Sequence, residues 1–117
     1  VHFTGFLQGE DVERMYELAD LYVMPSVSDP FGITPLEAMR LDTPVIVSRQ
    51  SGVSEVLENV LKVDFWDIED LANKILAVLV RPALRQELRR EGLDEVRGLR
   101  WEHSAARLRQ VYEEVLA

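Results

Sequence analysis

The chain of 117 residues contains no cysteine, so it can form neither disulfide bonds nor thiolate-bound metal sites. Its two histidines, His2 and His103, lie near opposite ends of the sequence. Neither is separated from acidic residues by the intervals that are typical of metal ligands. The longest purely apolar run, residues 75–80, falls well short of the ~20 residues that a membrane-spanning helix needs. We therefore expect no metal site and no transmembrane segment in this sequence.

Positive charge is also scarce, because 13 lysine and arginine residues stand against 21 aspartate and glutamate residues. The net charge of -8 would repel nucleic-acid phosphates and anionic membranes, so neither is an expected partner. Hydrophobic residues at 47% and charged residues at 29% are typical of a globular chain rather than a disordered one. No secretory signal peptide is visible, and we expect a cytoplasmic protein.

The sequence starts at Val1, without methionine and directly inside an alternation of apolar residues. We interpret this start as a cut through a longer protein. The length suits one domain or part of one. The prediction is therefore a single, partial domain that extends over residues 1–117.

Apolar runs of strand length alternate with segments of helical periodicity before a purely helical tail. Buried strands separated by helices are typical of a parallel sheet with right-handed crossovers. The predicted fold class is α/β: a Rossmann-like parallel sheet of about four strands, followed by a C-terminal helical tail. The predicted strands are residues 1–6, 21–25, 44–48 and 61–65, and the predicted helices begin near residues 9, 34, 52, 67, 82 and 101.

The helical tail carries signals for where its helices begin and end. Asp67 precedes the first of them as an N-cap, and acidic residues fill the first turn, where the helix dipole favours them. Gly92 and Gly98 weaken the next helix and predict that it ends early. Apolar stripes recur at Ile68, Leu71, Ile75, Leu76 and Leu79 in one helix and at Ala105, Leu108, Val111 and Val115 in another.

The segment SDPFGITPLEAM, residues 28–39, holds two carboxylates on either side of a predicted helix start. Thr34 fits the N-cap and Glu37 the third helical position, which predicts a capping box in which the Glu37 carboxylate accepts from the Thr34 N–H. The same geometry allows another use. The free N–H groups of residues 32–34 would attract an anion such as a diphosphate, and Gly32 would let a ligand approach the backbone.

Acidic side chains beside an anion site make chemical sense only if the ligand also offers hydroxyl groups. A carboxylate can accept hydrogen bonds from two vicinal hydroxyls. Glu37 in the first helical turn and Asp29 on the preceding loop would then bind opposite ends of one ligand. A nucleotide-sugar carries ribose, diphosphate and hexose in one molecule, so it fits this alternative to the capping box.

The segment PSVSDPFGITPLEAM resembles the donor-site signature of the retaining GT-B glycosyltransferases, whose core is two acids separated by seven residues around Pro-Phe-Gly. The likeness continues in TPVIVSRQSGVSEVL, with its Gly-x-x-Glu turn, in VDFWDIEDLANKILAVL and in RWEHSAARLRQVYEEVL. It covers nearly all of the chain. The resemblance implies that the chain is part of the C-terminal, donor-binding domain of a GT-B fold.

The resemblance also implies roles by position. Glu37 would bind the donor ribose hydroxyls and Asp29 the donor hexose. Glu55 would lie near the edge of the nucleotide, although a first-turn acid favoured by the helix dipole explains it as well. Backbone contacts to the sugar and diphosphate would come from Phe31, Gly32, Ile33 and Thr34, and the turn would be shaped by Pro30 and Phe31.

Two features depart from the family's usual pattern. The first acid is Asp29, where glutamate is more usual, and this shortens its reach by one methylene. The segment SRQSGV stands in place of the commoner double-glycine turn. The donor therefore stays open among UDP-, ADP- and GDP-linked sugars.

The resemblance implies a transferase that moves a glucose-like sugar to a saccharide or other hydroxyl acceptor, without a cofactor or metal. The family's phosphate-neutralising Arg-Lys pair would lie upstream of residue 1, as would the N-terminal acceptor domain. We therefore expect this chain alone to be inactive. The last helix would reach across to that absent domain, which predicts an exposed apolar patch and self-association of the chain.

Two alternatives remain within the same fold class. One is a noncatalytic regulatory module such as a receiver domain, which needs a phosphoacceptor aspartate at a strand end, whereas the strand LYVMPS ends without one. The other is a degenerate glycosyltransferase-like binding domain without turnover, which the sequence does not separate from the active enzyme.

Overall fold

In the computed structural model, which describes residues 1–117, helices and strands follow the predicted order from residue 10 onward. The three strands form one parallel sheet in the order β1-β2-β3, so the predicted α/β class is confirmed. The strands are β1 (Tyr22–Met24), β2 (Val45–Ser48) and β3 (Leu61–Val63); the helices are α1 (Glu10–Leu18), α2 (Thr34–Arg40), α3 (Ile68–Val80), α4 (Pro82–Gly98) and α5 (Trp101–Leu116), and a 3-10 turn spans Gly52–Glu55.

The central strand β2 is the most buried element of the fold. All four of its residues are buried, because strands β1 and β3 pair with it on both sides and other elements cover both faces. Side chains alternate between faces along a strand, so Ile46 faces away from the cluster that contains Val45 and Val47. A parallel strand buried on both faces reads as a continuous apolar run, which is how VIV appears in the sequence.

The first predicted strand, residues 1–6, is wrong, and the sheet has three strands instead of about four. Those residues pair with no strand of the chain, and Phe3 and Phe6 are 96% and 88% exposed. An extended segment gains stability only when a neighbouring strand satisfies its N–H and C=O groups. The alternation in VHFTGF therefore indicated strand propensity without identifying a partner.

Helix α4 packs across α2 and contributes to the core through Val96, which is buried with Met39. Gly92 was predicted to shorten this helix, and that is wrong: it lies buried inside α4, which continues to Gly98. A Cβ at Gly92 would lie 3.2 Å from the Met39 Cε. The glycine thus allows the two helices to approach closely, and this packing offsets its low helix propensity.

Helix α3 begins as the sequence predicts, since the Asp67 carboxylate accepts a hydrogen bond from the Asp70 N–H at 3.0 Å. Its predicted apolar stripe is partly wrong. Ile68 is 78% exposed and Leu76 is exposed as well, whereas Val78 is fully buried. The apolar run leaves several faces equally hydrophobic, and contact with β3 and α4 selects the buried one.

Helix α5 is exposed along its whole length, as are the predicted apolar residues on it. Leu108, Val111 and Val115 all face solvent. The predicted exposed apolar patch is therefore present, whereas self-association through it stays a prediction. None of the helices combines the length and apolar character required to cross a bilayer.

Candidate functional site

The carboxyl ends of β1, β2 and β3, together with the loops that leave them, form one edge of the sheet, which we call the carboxyl edge. Ligands of open parallel sheets bind at this edge. The loop after β1 carries Asp29 and leads into α2, and the loop after β2 leads into the 3-10 turn. The residues that the sequence singles out as a site therefore lie at the position where this architecture binds ligands.

Two backbone hydrogen bonds join these loops beyond the end of the sheet. The Gly52 N–H donates to the Asp29 carbonyl at 2.8 Å, and the Val53 N–H donates to the Phe31 carbonyl at 2.7 Å. Asp29 and Ser51 form an isolated parallel bridge at the same place. These hydrogen bonds continue the pairing of β1 with β2 beyond the ends of the strands, and they hold the loop that carries Asp29 against the loop after β2.

Gly52 is the residue that makes this pairing sterically possible. A Cβ at this position would lie 1.9 Å from the Pro30 carbonyl oxygen and 3.1 Å from the Phe31 Cα. Both are backbone atoms, which cannot move aside as a flexible side chain can. The resemblance included this glycine in a Gly-x-x-Glu turn, but its contact with the Asp29 loop appears only in three dimensions.

The Asp29 carboxylate is half-buried and accepts a hydrogen bond from the Phe31 N–H at 3.1 Å, which closes a tight local turn. Gly32 follows with φ of 86°, a left-handed conformation that favours glycine. A Cβ at Gly32 would also lie 3.0 Å from the Met24 Cε. The left-handed backbone conformation favours glycine here, and a Cβ would also require the Met24 side chain to shift.

The predicted capping box at the start of α2 is wrong. The N-cap is Ile33, and no side chain caps the helix. The Thr34 hydroxyl instead accepts a hydrogen bond from the Tyr22 phenol at 2.7 Å, and the Glu37 carboxylate accepts one from the Tyr16 phenol at 3.3 Å. Tertiary partners thus take the place of the local cap. Glu37 stays exposed.

The backbone donors at this helix start are unpaired within the chain. The N–H groups of Gly32, Ile33 and Thr34 make no hydrogen bond to a backbone carbonyl. They lie in the segment between Asp29 and Glu37. The segment therefore carries two carboxylates that accept hydrogen bonds and, between them, a short run of unpaired donors.

Tyr16 is the ionisable residue whose protonation equilibrium is clearly shifted. Burial, then the neighbouring Tyr22 and Glu37, raise the pKa of Tyr16 from 10.0 to about 12. Because this folded-state pKa is above the unfolded one, ionisation of the phenol disfavours the folded state: stability is fully present below about pH 10 and is lost as the pH rises towards 12. At neutral pH the phenol is protonated and donates a hydrogen bond to the Glu37 carboxylate.

Glu55 lies at the end of the 3-10 turn and is exposed. It makes no ion pair, and the turn that carries it begins with the hydrogen bonds to the Asp29 loop. The predicted role near a nucleotide stays a prediction for this residue.

Arg49, the cation that directly follows β2, is paired. Its guanidinium lies 3.3 Å from the Asp64 carboxylate, which also accepts a hydrogen bond from the Gln50 amide at 2.9 Å. The amide oxygen of Gln50 in turn accepts from the Phe65 N–H. This network ties the β2 and β3 ends of the carboxyl edge together and uses the charge of Arg49 within the chain.

The candidate site lies outside two depressions of the molecular surface. Neither depression is lined by Asp29 or Glu37. The first lies along the exposed helix α5, and the second lies between α1 and α4 at Asp20 and Arg89.

Three residues that shape the site were not identified as such from the sequence. Tyr16 lies in the helix predicted from near residue 9, Tyr22 in a predicted buried strand, and Gly52 in the Gly-x-x-Glu turn. A tyrosine at the border of a core is a weak signal of a site residue. Its ring can be buried like that of any core residue while its hydroxyl forms a hydrogen bond. A glycine in the loop that follows a buried strand is a stronger signal of close backbone approach.

Comparisons with known proteins agree with this architecture. A model of the family described as glycosyl transferases group 1 matches residues 1–94. The chain is 30% identical over 112 residues to D-inositol 3-phosphate glycosyltransferase of Saccharomonospora viridis, covering 93% of this chain and 26% of that protein. It is 33% identical over 102 residues to mannosylfructose-phosphate synthase of Agrobacterium fabrum, covering 85% and 22%. The chain thus spans about a quarter of these relatives.

Solved structures give the same fold. Sucrose-phosphate synthase from Thermosynechococcus elongatus matches with a TM-score of 0.80 and 34% identity, covering 98% of this chain and 30% of that one. The C-terminal domain of a glycosyl transferase group 1 family protein from Francisella tularensis matches with a TM-score of 0.73 and 26% identity, covering 80% and 50%. The parallel sheet and its helices are those of a GT-B glycosyltransferase, and the chain belongs to the glycosyl transferases group 1 family.

Proposed function

We propose that the chain is the donor-binding part of a retaining hexosyltransferase that uses a nucleotide-diphosphate sugar. The observation that carries this proposal is the arrangement of Asp29 and Glu37 on either side of unpaired backbone N–H groups at the carboxyl edge. Family membership supports it, and a receiver-like regulatory role has no comparable support.

The chemistry of the segment suits the three parts of such a donor. Glu37 has lone pairs left beyond the one that the Tyr16 phenol occupies, and these accept from the vicinal ribose hydroxyls. The N–H groups of Gly32, Ile33 and Thr34 donate to the sugar and diphosphate oxygens. Asp29, held in its turn by the Phe31 N–H, accepts from hexose hydroxyls. No metal or cofactor is required in this arrangement.

In the intact enzyme, the acceptor hydroxyl oxygen forms a bond to the anomeric carbon while the bond from that carbon to the diphosphate oxygen breaks. The nucleoside diphosphate leaves with the bonding electrons, and the hydroxyl proton is transferred to it. Charge on the leaving group needs fixed positive partners in a water-excluded site. Arg49 at this edge is already paired with Asp64, so its charge is not free to neutralise the leaving group.

Crystals of the chain soaked with UDP-, ADP- or GDP-glucose test the proposed arrangement. We expect the ribose hydroxyls within hydrogen-bonding distance of the Glu37 carboxylate, the hexose at Asp29 and the diphosphate at residues 32–34. Soaking with inorganic pyrophosphate is the control for occupancy of the phosphate subsite alone. A nucleotide-sugar bound elsewhere, with Asp29 and Glu37 turned away from it, contradicts the proposal.

We also expect the isolated chain to transfer no sugar, because it spans only about a quarter of the length of its relatives and the charge of Arg49 at its carboxyl edge is already used by Asp64. A coupled assay for release of nucleoside diphosphate, with the full-length protein as the positive control, measures this. Robust product formation by residues 1–117 alone would show the expectation to be wrong. An inactive full-length protein that still binds the donor would identify a degenerate relative.

A further inference from the structure

Two tyrosines lie directly behind the first turn of α2. The Tyr16 phenol, from α1, donates to Glu37, and the Tyr22 phenol, from β1, donates to Thr34. The two rings meet edge to face with centroids 5.6 Å apart and an interplanar angle of 75°. Thr34 and Glu37 are three residues apart on one helix, so they lie on the same side of it.

Tyr16 is itself held from several directions. Its ring packs against Tyr22 and the hydrophobic core. Its carbonyl oxygen accepts a hydrogen bond from the buried Thr43 hydroxyl at 2.6 Å, in the loop that links α2 to β2. The phenol is therefore fixed relative to α2 before any ligand arrives. A fixed donor beside an exposed carboxylate restricts the rotamers that the carboxylate populates.

We propose that Tyr16 is a positioning residue that acts through Glu37: its phenol holds the carboxylate in the orientation that receives the donor ribose. This inference rests on the function proposed above. The Tyr16 Oη to Glu37 Oε2 distance of 3.3 Å is long for an O–H···O bond. Such a contact orients one oxygen and leaves the other free to accept from hydroxyls.

The alternative is that Tyr16 is simply a core residue whose hydroxyl reaches the surface. Tyr16→Phe separates the two, because it keeps the ring in the core and removes only the phenol oxygen. Chemical denaturation should then show nearly unchanged stability. Affinity for the ribonucleotide should fall roughly three- to tenfold, as expected for one lost hydrogen bond that orients a ligand-binding group.

Calorimetric titration with UDP and with 2′,3′-dideoxyuridine diphosphate provides the discriminating measurement. Tyr16→Phe should lower affinity for UDP and leave affinity for the dideoxy compound unchanged. In a Glu37→Ala background, Tyr16→Phe should have no further effect on UDP affinity. Tyr112→Phe removes a phenol oxygen from the exposed helix α5 and serves as the matched control. An undiminished affinity for UDP in Tyr16→Phe overturns the inference.

The outcomes separate the two proposals. If the wild-type chain binds UDP and the dideoxy compound equally, the ribose role of Glu37 fails. If it discriminates between them and Tyr16→Phe discriminates equally well, only the positioning role fails. Crystal structures of the wild-type and Tyr16→Phe chains decide the point without a ligand. We expect the Glu37 carboxylate to be displaced in the variant, and an identical position in both structures overturns the inference.

Discussion

Gly52→Ala is expected to lower the free energy of unfolding by about 1–3 kcal/mol, the range typical of an overpacked site. The new Cβ would lie 1.9 Å from the Pro30 carbonyl oxygen, so the loop that carries Asp29 must move away. The backbone of Gly52 itself is not left-handed, so alanine can adopt its conformation and the cost is steric. Moving the loop also breaks the pairing of Gly52 and Val53 with Asp29 and Phe31.

The functional effect of this substitution should be as large as the upper end of its effect on stability. A displacement of about 1 Å at a ligand-positioning segment costs on the order of a hundredfold in turnover. We expect that loss in the full-length transferase, together with weaker nucleotide-sugar binding by the chain alone. Denaturant unfolding and donor titration measure the two effects separately.

Gly98→Ala is the matched control for this prediction. Gly98 ends α4, and a Cβ there meets no atom within 4 Å. The same chemical change should therefore leave donor binding intact and raise stability by up to about 1 kcal/mol through helix propensity. Equal behaviour of the two variants would show that the approach of Pro30 to Gly52 does not constrain the site.

Glu37→Ala should weaken binding of UDP, or of whichever nucleoside diphosphate the chain prefers, by about 1–3 kcal/mol. Removal of the carboxylate leaves two ribose hydroxyls without their charged acceptor. Affinity for the 2′,3′-dideoxy analogue should hardly change, because that ligand lacks the hydroxyls. Titration of wild type and variant with both ligands isolates the contribution of the ribose.

Stability provides the second readout for Glu37→Ala. A capping box would predict a loss of about 0.5–2 kcal/mol, but the Glu37 carboxylate makes no cap in this structure. We expect a loss below about 1 kcal/mol, from the helix dipole and the contact with Tyr16. Glu69→Ala, in the first turn of α3, removes a comparable exposed acid and is the control. Lost stability with unchanged nucleotide affinity would restore the capping interpretation.

Local sequence signals predicted the elements of this fold where the pattern had a single interpretation. The run VIV is apolar without alternation, which suits a strand covered on both faces, and β2 is such a strand. Asp67 stands before an apolar helix with acids in its first turn, and its cap is present. The cap joins neighbours in the sequence, so a short window contains its physics. The apolar run of β2 is also visible in a short window, although the strands that pair with it lie elsewhere along the chain.

Prediction was wrong where one segment had two competing partners or none. The Thr34 and Glu37 pattern matched a capping box, but phenols from α1 and β1 bind these side chains instead. VHFTGF alternates like a strand, yet no strand of this chain pairs with it. Gly92 looked like a helix breaker, although it permits α2 and α4 to approach closely. Each of these outcomes depends on residues far away along the chain.

Residue types and spacing by themselves predicted the candidate acids, the turn between them and the alternation of strands and helices. This was possible because backbone preferences and side-chain periodicity act over a few residues. Only the tertiary structure decided three other features. These are the orientation of Glu37, the attachment of the Asp29 loop to Gly52 and Val53, and the choice of the buried face of α3. Those features require contacts between distant segments, and hydrogen bonds and close packing select among several locally acceptable arrangements.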